Sequence, residues 1–499
     1  MVIFLAVSIA VALLALGTIP SDDAALTGAT FAPSIVALIW LACYLVAAYF
    51  AFGTPYLFAS AYIVSLFVFH FGLLIQDGFG IIRVTNWISG PISPWAVRAG
   101  WYTNLALACT GIGFALSNLT ARTRRLPVPQ VAQAIAVRNF GWLRHQGMGL
   151  LLAAFVLFTL TIATQGNIFA LTRLTLFHLS DTRFISVFSM ISPGAATALL
   201  ISARTKRQRL LAYAVTGFVL LFFLGSGQRS TALFPLLVGV VIWAKTGRRI
   251  NPVIAAVVLF STLLIIPMVG YLRTLGTYGE IANSDAFFQA TKYADLGRSF
   301  QEMGGSIGPL IYTLMLIPAD ESYRYGNTYW KDLLDLIPNI GLTPDASTAR
   351  ETAEKNLRSG PTREALHAMT PGDWASYHII PDQFSSGGGA GFSGVAEPYF
   401  NFGLPGVLVY FVLLGFFLGK FERVTLPLQP YWLLFAAVIY WHLLPTVRND
   451  YSVFLKPAAF TLIILGIWKL VGRIIGSTRS TTQQPGKVVT QKPLDHLQR

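Results

Sequence analysis

GGGAGFSGVAEPYFNFGLPGVLVYFVLLGFFLGK, residues 387–420, passes from a glycine-rich polar run into an unbroken apolar one. From 401 to 419 the apolar part is long enough to cross ~30 Å of hydrocarbon as a helix. In lipid only helices and closed barrels satisfy every backbone group, and a continuous rather than alternating apolar run means a helix. Eleven similar runs lie outward from it, at about 2–19, 31–52, 54–75, 99–119, 147–165, 184–203, 210–225, 232–244, 252–271, 431–447 and 457–472. With 54% hydrophobic and 12% charged residues and a mean hydropathy of +0.59, the 499-residue chain is not a soluble globular protein. The fold class is an all-α polytopic membrane protein of about twelve transmembrane helices. Nine helices occupy 1–272, a large external loop fills 273–400, three helices follow in 401–472, and 473–499 is a polar, basic tail expected to be disordered and cytoplasmic.

The alternate turns set the orientation. Segments 120–146, 204–209, 245–249, 420–423 and the tail from Lys469 hold 20 of the 36 Lys and Arg. They hold only Glu422 and Asp495 of the 22 acids, so one side carries +18 and the other −4. That is the positive-inside pattern, and it puts both termini in the cytoplasm. Topology accounts for the basic balance, and no nucleic-acid partner is implied. No Lys or Arg precedes the first run, which therefore lacks the n-region of a signal peptide and is read as a retained helix. Cys43 and Cys109 fall inside expected helices and imply no disulfide framework.

A twelve-helix carrier commonly has two similar halves with binding groups at the midplane. Here the helices divide nine and three, and few ionisable residues lie deep in them. The chemistry is expected at the outer surface. Arg229 in SGQRST (226–231), Arg273 and Arg448 all fall there, where orientation does not require cations. Each is either an interfacial anchor or an anion-binding group. Within the loop, 304–319 holds an apolar run too short to span, expected to be re-entrant or interfacial. DESYRYGNTYWKDLLDLIP (320–338) mixes aromatics with charge and ends in a short amphipathic helix stopped by Pro338. Rings interleaved with amides and carboxylates suit carbohydrate, or else an aromatic belt at headgroup level. Asn401, Tyr399 and Tyr329 are the expected sugar contacts.

The glycines of 387–391 are followed by no GK[ST], so they are not a nucleotide-binding loop. Glycines of this kind let backbone N–H groups approach an oxyanion closely. Pro398 suits a first helical position, which makes Glu397 a candidate N-cap, with Asn401 one turn further on the same face.

SGGGAGFSGVAEPYFNFGLPGVLVYFVLLG resembles the pattern of bacterial O-antigen and oligosaccharide repeat-unit polymerases (the Wzy type): a Gly-rich segment, Glu, an aromatic, Asn-Phe-Gly and a helix. GSGQRSTALFPLL is similar to their Gly-x-Arg turn, YGNTYWKDLLDLIPN to the part of their external loop ending in Ile-Pro, and RNDY (448–451) to their last external turn. The resemblance is architectural over nearly the whole chain and specific in these four patches. It implies a glycosyltransferase of the inner membrane acting on the periplasmic face. A growing glycan on polyprenyl diphosphate would pass to an incoming lipid-linked repeat unit, with release of the polyprenyl diphosphate and inversion at the anomeric carbon. A chain-length regulator is a possible protein partner, and no cofactor is implied.

Arginine binds a diphosphate through bidentate, charge-assisted hydrogen bonds, and a guanidinium placed where charge grows on the leaving oxygen favours the transition state. Arg229, with Arg273 or Arg448, is the expected diphosphate clamp. The acceptor hydroxyl needs a base, for which Glu397, His378 and Asp450 are the candidates, with Asp382 and His442 behind them. There is no external Asp-x-Asp pair and no His/Cys cluster at zinc spacing, so no metal is expected. The competing readings are a ligase-type transferase with a lipid A core acceptor, a lipid-linked oligosaccharide flippase or other transporter, and a non-catalytic assembly partner.

Overall fold

A computed structural model describes residues 1–19, 30–86, 93–120, 141–165, 183–225, 229–245, 252–272, 284–334, 336, 363–385, 389–425 and 430–480. Nine long helices come first: α1 Val2–Thr18, α2 Phe31–Phe52, α3 Phe58–Gly78, α4 Ser93–Leu119, α5 Gly141–Gln165, α6 Arg183–Ser202, α7 Lys206–Gly225, α8 Arg229–Lys245 and α9 Pro252–Leu272. Shorter ones follow: α10 Ser284–Thr291, α11 Leu296–Gly304, α12 Ile307–Leu316, α13 Asn327–Leu334, α14 Arg363–Ala368, α15 Pro371–Ile379 and α16 Pro381–Ser385. Three long helices close the chain: α17 Ala396–Thr425, α18 Pro430–Leu443 and α19 Ser452–Ser480. Every apolar run found in the sequence coincides with a helix. Phe31–Phe52, Phe58–Gly78 and Ala396–Arg423 are long and apolar enough to cross a membrane, and Val2–Thr18, Leu236–Lys245, Leu433–Val447 and Ser452–Ile467 are shorter apolar helices.

The helix ends differ from expectation in informative ways. α17 begins at Ala396, ahead of the apolar run, because Ser393 caps it: its Oγ accepts from the N–H groups of Val395 and Ala396, both at 3.2 Å. α18 stops at Leu443 and passes into a 3-10 turn, Leu444–Val447, where Pro445 removes a helical donor. α19 continues to Ser480, so 473–480, expected to be disordered, are helical. Residues 481–499 lie outside the described residues.

α3 is the most buried of the long helices, with most of its residues enclosed. α4 and α17 form the most extensive crossing, and small residues make it close. A Cβ on Gly113 would overlap the Val412 carbonyl oxygen, and one on Gly415 would overlap that of Thr110. Two loop helices join the bundle. α11 lies along α3, where a Cβ on Gly304 would strike Leu73 N. α12, buried over most of its length, packs on α3, α4, α15 and α17. The apolar run at 304–319 is thus part of the helical core.

At one end of the bundle a buried ion pair joins three helices. Lys245 Nζ of α8 donates to Glu422 Oε2 of α17 at 2.6 Å, and Glu422 Oε1 accepts the Ala59 N–H at the start of α3 at 2.9 Å. The start of α17, at that helix's other end, meets the loop segments against the middle of α3, and there several of the described candidate residues gather.

Candidate active site

Four stretches of chain converge at the start of α17, against the middle of α3: 321–330, 370–378, 391–401 and 448–451. The tightest link is a graft of 324–328 onto α17. Arg324 N–H donates to Phe400 O at 3.0 Å, and Tyr325 N–H to Asn401 O at 2.9 Å. Asn401, fully buried, accepts the Gly326 N–H on Oδ1 at 3.0 Å, and its Nδ2 donates to Thr328 Oγ1 at 2.8 Å and to Glu397 O at 3.0 Å. These contacts need the carbonyls of Phe400 and Asn401 free, and the kink at Gly403 (φ 65°, ψ −152°), followed by Pro405, opens that turn. Tyr323 fills the kink: a Cβ on Gly403 would lie 2.9 Å from its hydroxyl.

Glu397 is not the cap expected from Pro398. It lies inside the first turn, 2% exposed, with Oε1 accepting from Thr328 Oγ1 at 3.0 Å and Oε2 from Tyr451 N–H at 2.7 Å. One carboxylate therefore ties α17 to both α13 and the RNDY turn. The capping Ser393 also donates to His70 Nε2 at 2.7 Å, since the ring's Nδ1, 2.9 Å from Leu66 O, must be the donor there. That hydrogen bond fastens the start of α17 to the middle of α3.

The glycine-rich segment is also used differently from expectation. Phe392 N–H donates to Arg448 O at 3.0 Å and Gly394 N–H to Val447 O at 3.4 Å. Gly391 (φ 76°) and Gly394 permit this approach, because a Cβ would lie 2.8 Å from Arg448 O and 2.6 Å from Thr446 O respectively. These glycines hold the 446–448 backbone, not an anion; 387 and 388 lie outside the described residues.

A second group sits on the other side of Phe400. Glu321 accepts the Trp374 indole N–H at 3.0 and 3.1 Å, pairs with Arg324 Nη2 at 2.7 Å, and lies 3.3 Å from His378 Nε2. Arg324 stacks over the Phe400 ring at 4.8 Å, and Trp374 lies 4.9 Å from the same ring. Burial pushes the Glu321 carboxyl up, but His378, the indole N–H and the guanidinium outweigh it and hold it down at about 2. A half-buried imidazole beside a carboxylate that stays ionised is the geometry of an oriented base.

Asp450 is buried and braced: Oδ2 accepts the Gly372 N–H at 3.1 Å, and Oδ1 bonds Ser452 Oγ at the start of α19. Burial pushes its carboxyl up. Arg448, half-buried, extends over the Phe69 ring at 5.7 Å. Arg229 is the first residue of α8, with its side chain outside the described residues, and so is the whole of Arg273. Tyr329 packs among Tyr451 (5.9 Å), Tyr410 and Phe402 (both 6.5 Å). Burial pushes its phenol well up, Glu397 adding to the effect, and the enclosed hydroxyl has no hydrogen-bond partner among the described residues. Tyr399 faces away from this group, 4% exposed between Tyr102 (5.2 Å) and Tyr323 (6.0 Å). His442 is buried 3.4 Å from Thr461 Oγ1, and Asp382 is exposed on α16.

Glu321, Arg324, Trp374 and Thr328 were not singled out in the sequence. The three-residue spacing of Glu321 and Arg324 carried a local signal of an ion pair; the 53-residue separation of Glu321 and Trp374 carried none.

The described helices include spans long and apolar enough for a membrane, and carboxylates, an imidazole and arginines are drawn together at the start of α17. The chain belongs to the O-antigen polysaccharide polymerase Wzy family, whose model matches residues 1–476. It is an O-antigen repeat-unit polymerase of the inner membrane and works on lipid-linked oligosaccharide repeat units. No curated protein and no solved structure gives a match. Nothing found favours the ligase or flippase readings.

Proposed function

We propose that the polymerisation step takes place on the periplasmic face, where the loop segments meet α3 and α17, with both termini in the cytoplasm and twelve helices crossing the membrane. The family match over 1–476 carries this reading. The charge split between the two faces supports the orientation.

In this reading the acceptor hydroxyl of the incoming repeat unit gives its proton to His378, and its oxygen attacks the anomeric carbon of the growing glycan. The bond from that carbon to the diphosphate oxygen breaks, polyprenyl diphosphate leaves with the electron pair, and the configuration inverts. Arg448, with Arg229 and Arg273, neutralises the leaving diphosphate; removing such a group costs roughly 10²–10³ in rate. Glu321 orients His378 and stabilises it once protonated. His378 is preferred over Glu397 as base because both Glu397 oxygens are already engaged, by Thr328 and Tyr451, at a site 2% exposed. Glu397 and Asn401 hold the loop in place, and Asp450 holds the turn that carries Arg448.

The test is complementation of a polymerase-null strain at matched membrane expression, read as a glycan ladder on a gel. Wild type restores long chains, whereas Arg229→Ala, Arg448→Ala and His378→Ala leave single repeats. Normal ladders from the arginine variants sink the clamp. A normal ladder from His378→Ala beside a lost one from Glu397→Gln transfers the base role to Glu397.

A further inference from the structure

Tyr325 is the one residue other than glycine with a positive φ (48°) among the described residues. The left-handed region is unfavourable for a tyrosine, whose Cβ crowds the following carbonyl. Tyr325 is 75% exposed, so burial of its ring does not offset that strain. Its backbone is nonetheless fixed by its own N–H to Asn401 O, by Gly326 N–H to Asn401 Oδ1, and by Asn327 N–H to Arg324 O at 2.9 Å. A glycine or asparagine would close the same turn with less strain. The strain therefore belongs to what the ring does, not to how the chain folds.

Two more exposed rings stand on the adjoining segments, α13 and α17. Trp330 is 59% exposed on the first turns of α13, and Phe402 is 46% exposed, its ring edge 2.9 Å from where a Gly326 Cβ would stand. Tyr323 meets the Tyr325 ring edge-on at 6.3 Å. The surroundings are hydrophilic: Asp320 and Asn327 are exposed, and Ser322 is half-buried. An interfacial anchor does not need a pinned backbone. Rigid ring faces set among amides and carboxylates are the chemistry that receives the C–H faces and hydroxyls of sugars.

We propose that Tyr325, with Trp330 and Phe402, forms a stacking subsite for the sugar rings of the lipid-linked repeat unit and sets which glycan is accepted. The proposal rests on the placement of the reaction at this end of the bundle. Tyr325 is a specificity residue here, remote from the transferred bond and reached by the sugars on either side of it.

The probe is the lipid-free repeat-unit oligosaccharide released from the host's own O antigen, titrated by saturation-transfer NMR into full-length protein in nanodiscs. Tyr325→Gly suits the left-handed backbone and so removes the ring without new strain, and Trp330→Ala supplies a second variant. Both weaken sugar binding roughly tenfold, the scale of one aromatic contact, while Tyr325→Phe binds as wild type. Wild-type binding by Tyr325→Gly overturns the proposal, and so does an oligosaccharide that gives no signal with the wild type. A Tyr325→Gly variant that binds sugar normally but loses activity on changing the bilayer composition marks a membrane anchor, which also overturns it. Normal ladders from His378→Ala and Arg448→Ala would remove the reaction site proposed above, while tenfold weaker sugar binding by Tyr325→Gly would still stand.

Discussion

Replacing Asn401 by Ala tests whether the loop is held on α17 by the hydrogen bonds described. Asn401 satisfies the Gly326 N–H and one side of the Thr328 hydroxyl, at 3.0 and 2.8 Å, from a fully buried position. The substitution leaves the Gly326 donor without its acceptor, which costs about 1–3 kcal/mol in a buried setting. Thr328 keeps its bond to Glu397 and so loses only an ordinary hydrogen bond, about 1 kcal/mol. The graft of 324–328 is thus weakened by about 3 kcal/mol, or roughly a hundredfold in its local opening equilibrium. Amide hydrogen exchange by mass spectrometry, on protein in nanodiscs, reads this directly. The peptide covering 322–331 exchanges roughly a hundredfold faster in Asn401→Ala, while peptides from α3 and α4 keep wild-type protection. Unchanged protection of 322–331 would refute the reasoning, since the segment would then be held by contacts outside this network.

Glu321 supplies a pH signature. Its folded carboxyl lies near 2 against an ordinary value of 4.5, so its contribution to loop docking is complete above about 4.5 and is lost as pH falls toward 2. Exchange protection of 322–331 and 372–379 is accordingly flat from pH 8 to pH 5 on this account and falls below it, and Glu321→Gln removes that acid limb; a variant that keeps the limb contradicts the assignment. At the α4–α17 crossing, Gly415→Val forces side-chain atoms onto the Thr110 carbonyl and abolishes folded protein in size-exclusion chromatography, whereas Gly466→Ala, with nothing within 4 Å of the new Cβ, elutes as wild type. A well-folded Gly415→Val would show that the two helices can separate.

The helices were legible because a long apolar run has one solution in lipid, and their boundaries were not, because boundaries depend on polar partners. Glu397 read as an N-cap ahead of Pro398, with Asn401 one turn further on, but Ser393 caps the helix, which begins at Ala396 and takes Glu397 into its first turn. The Gly-rich run, read as an anion cradle, turned out to serve a backbone contact with 446–448, which no local pattern announces. His378, Asn401 and Asp450 were visible as types of residue suited to the chemistry. What made His378 a stronger candidate than Glu397 was Glu321, and that pairing crosses 57 positions of chain and exists only once α15 has docked. Arg324 and Trp374 were passed over for the same reason: each was one more charge or ring in an aromatic segment until the fold made them neighbours.

The Lys245–Glu422 pair has a consequence for how the protein is made. Glu422 also receives the N–H of Ala59, a residue 363 positions earlier, and it stands 177 positions beyond Lys245. A ribosome feeding helices into the bilayer in order must therefore insert α3 and α8 long before their common carboxylate is synthesised. The bundle can be closed at this end only when α17 arrives, so maturation is gated by late translation. A chain released early, before Glu422, would expose an incomplete seam to membrane quality control, and the same late event brings Glu397 and Asn401 to the opposite end of α17. Arrival of one helix thus seals one end of the bundle and completes the candidate site at the other.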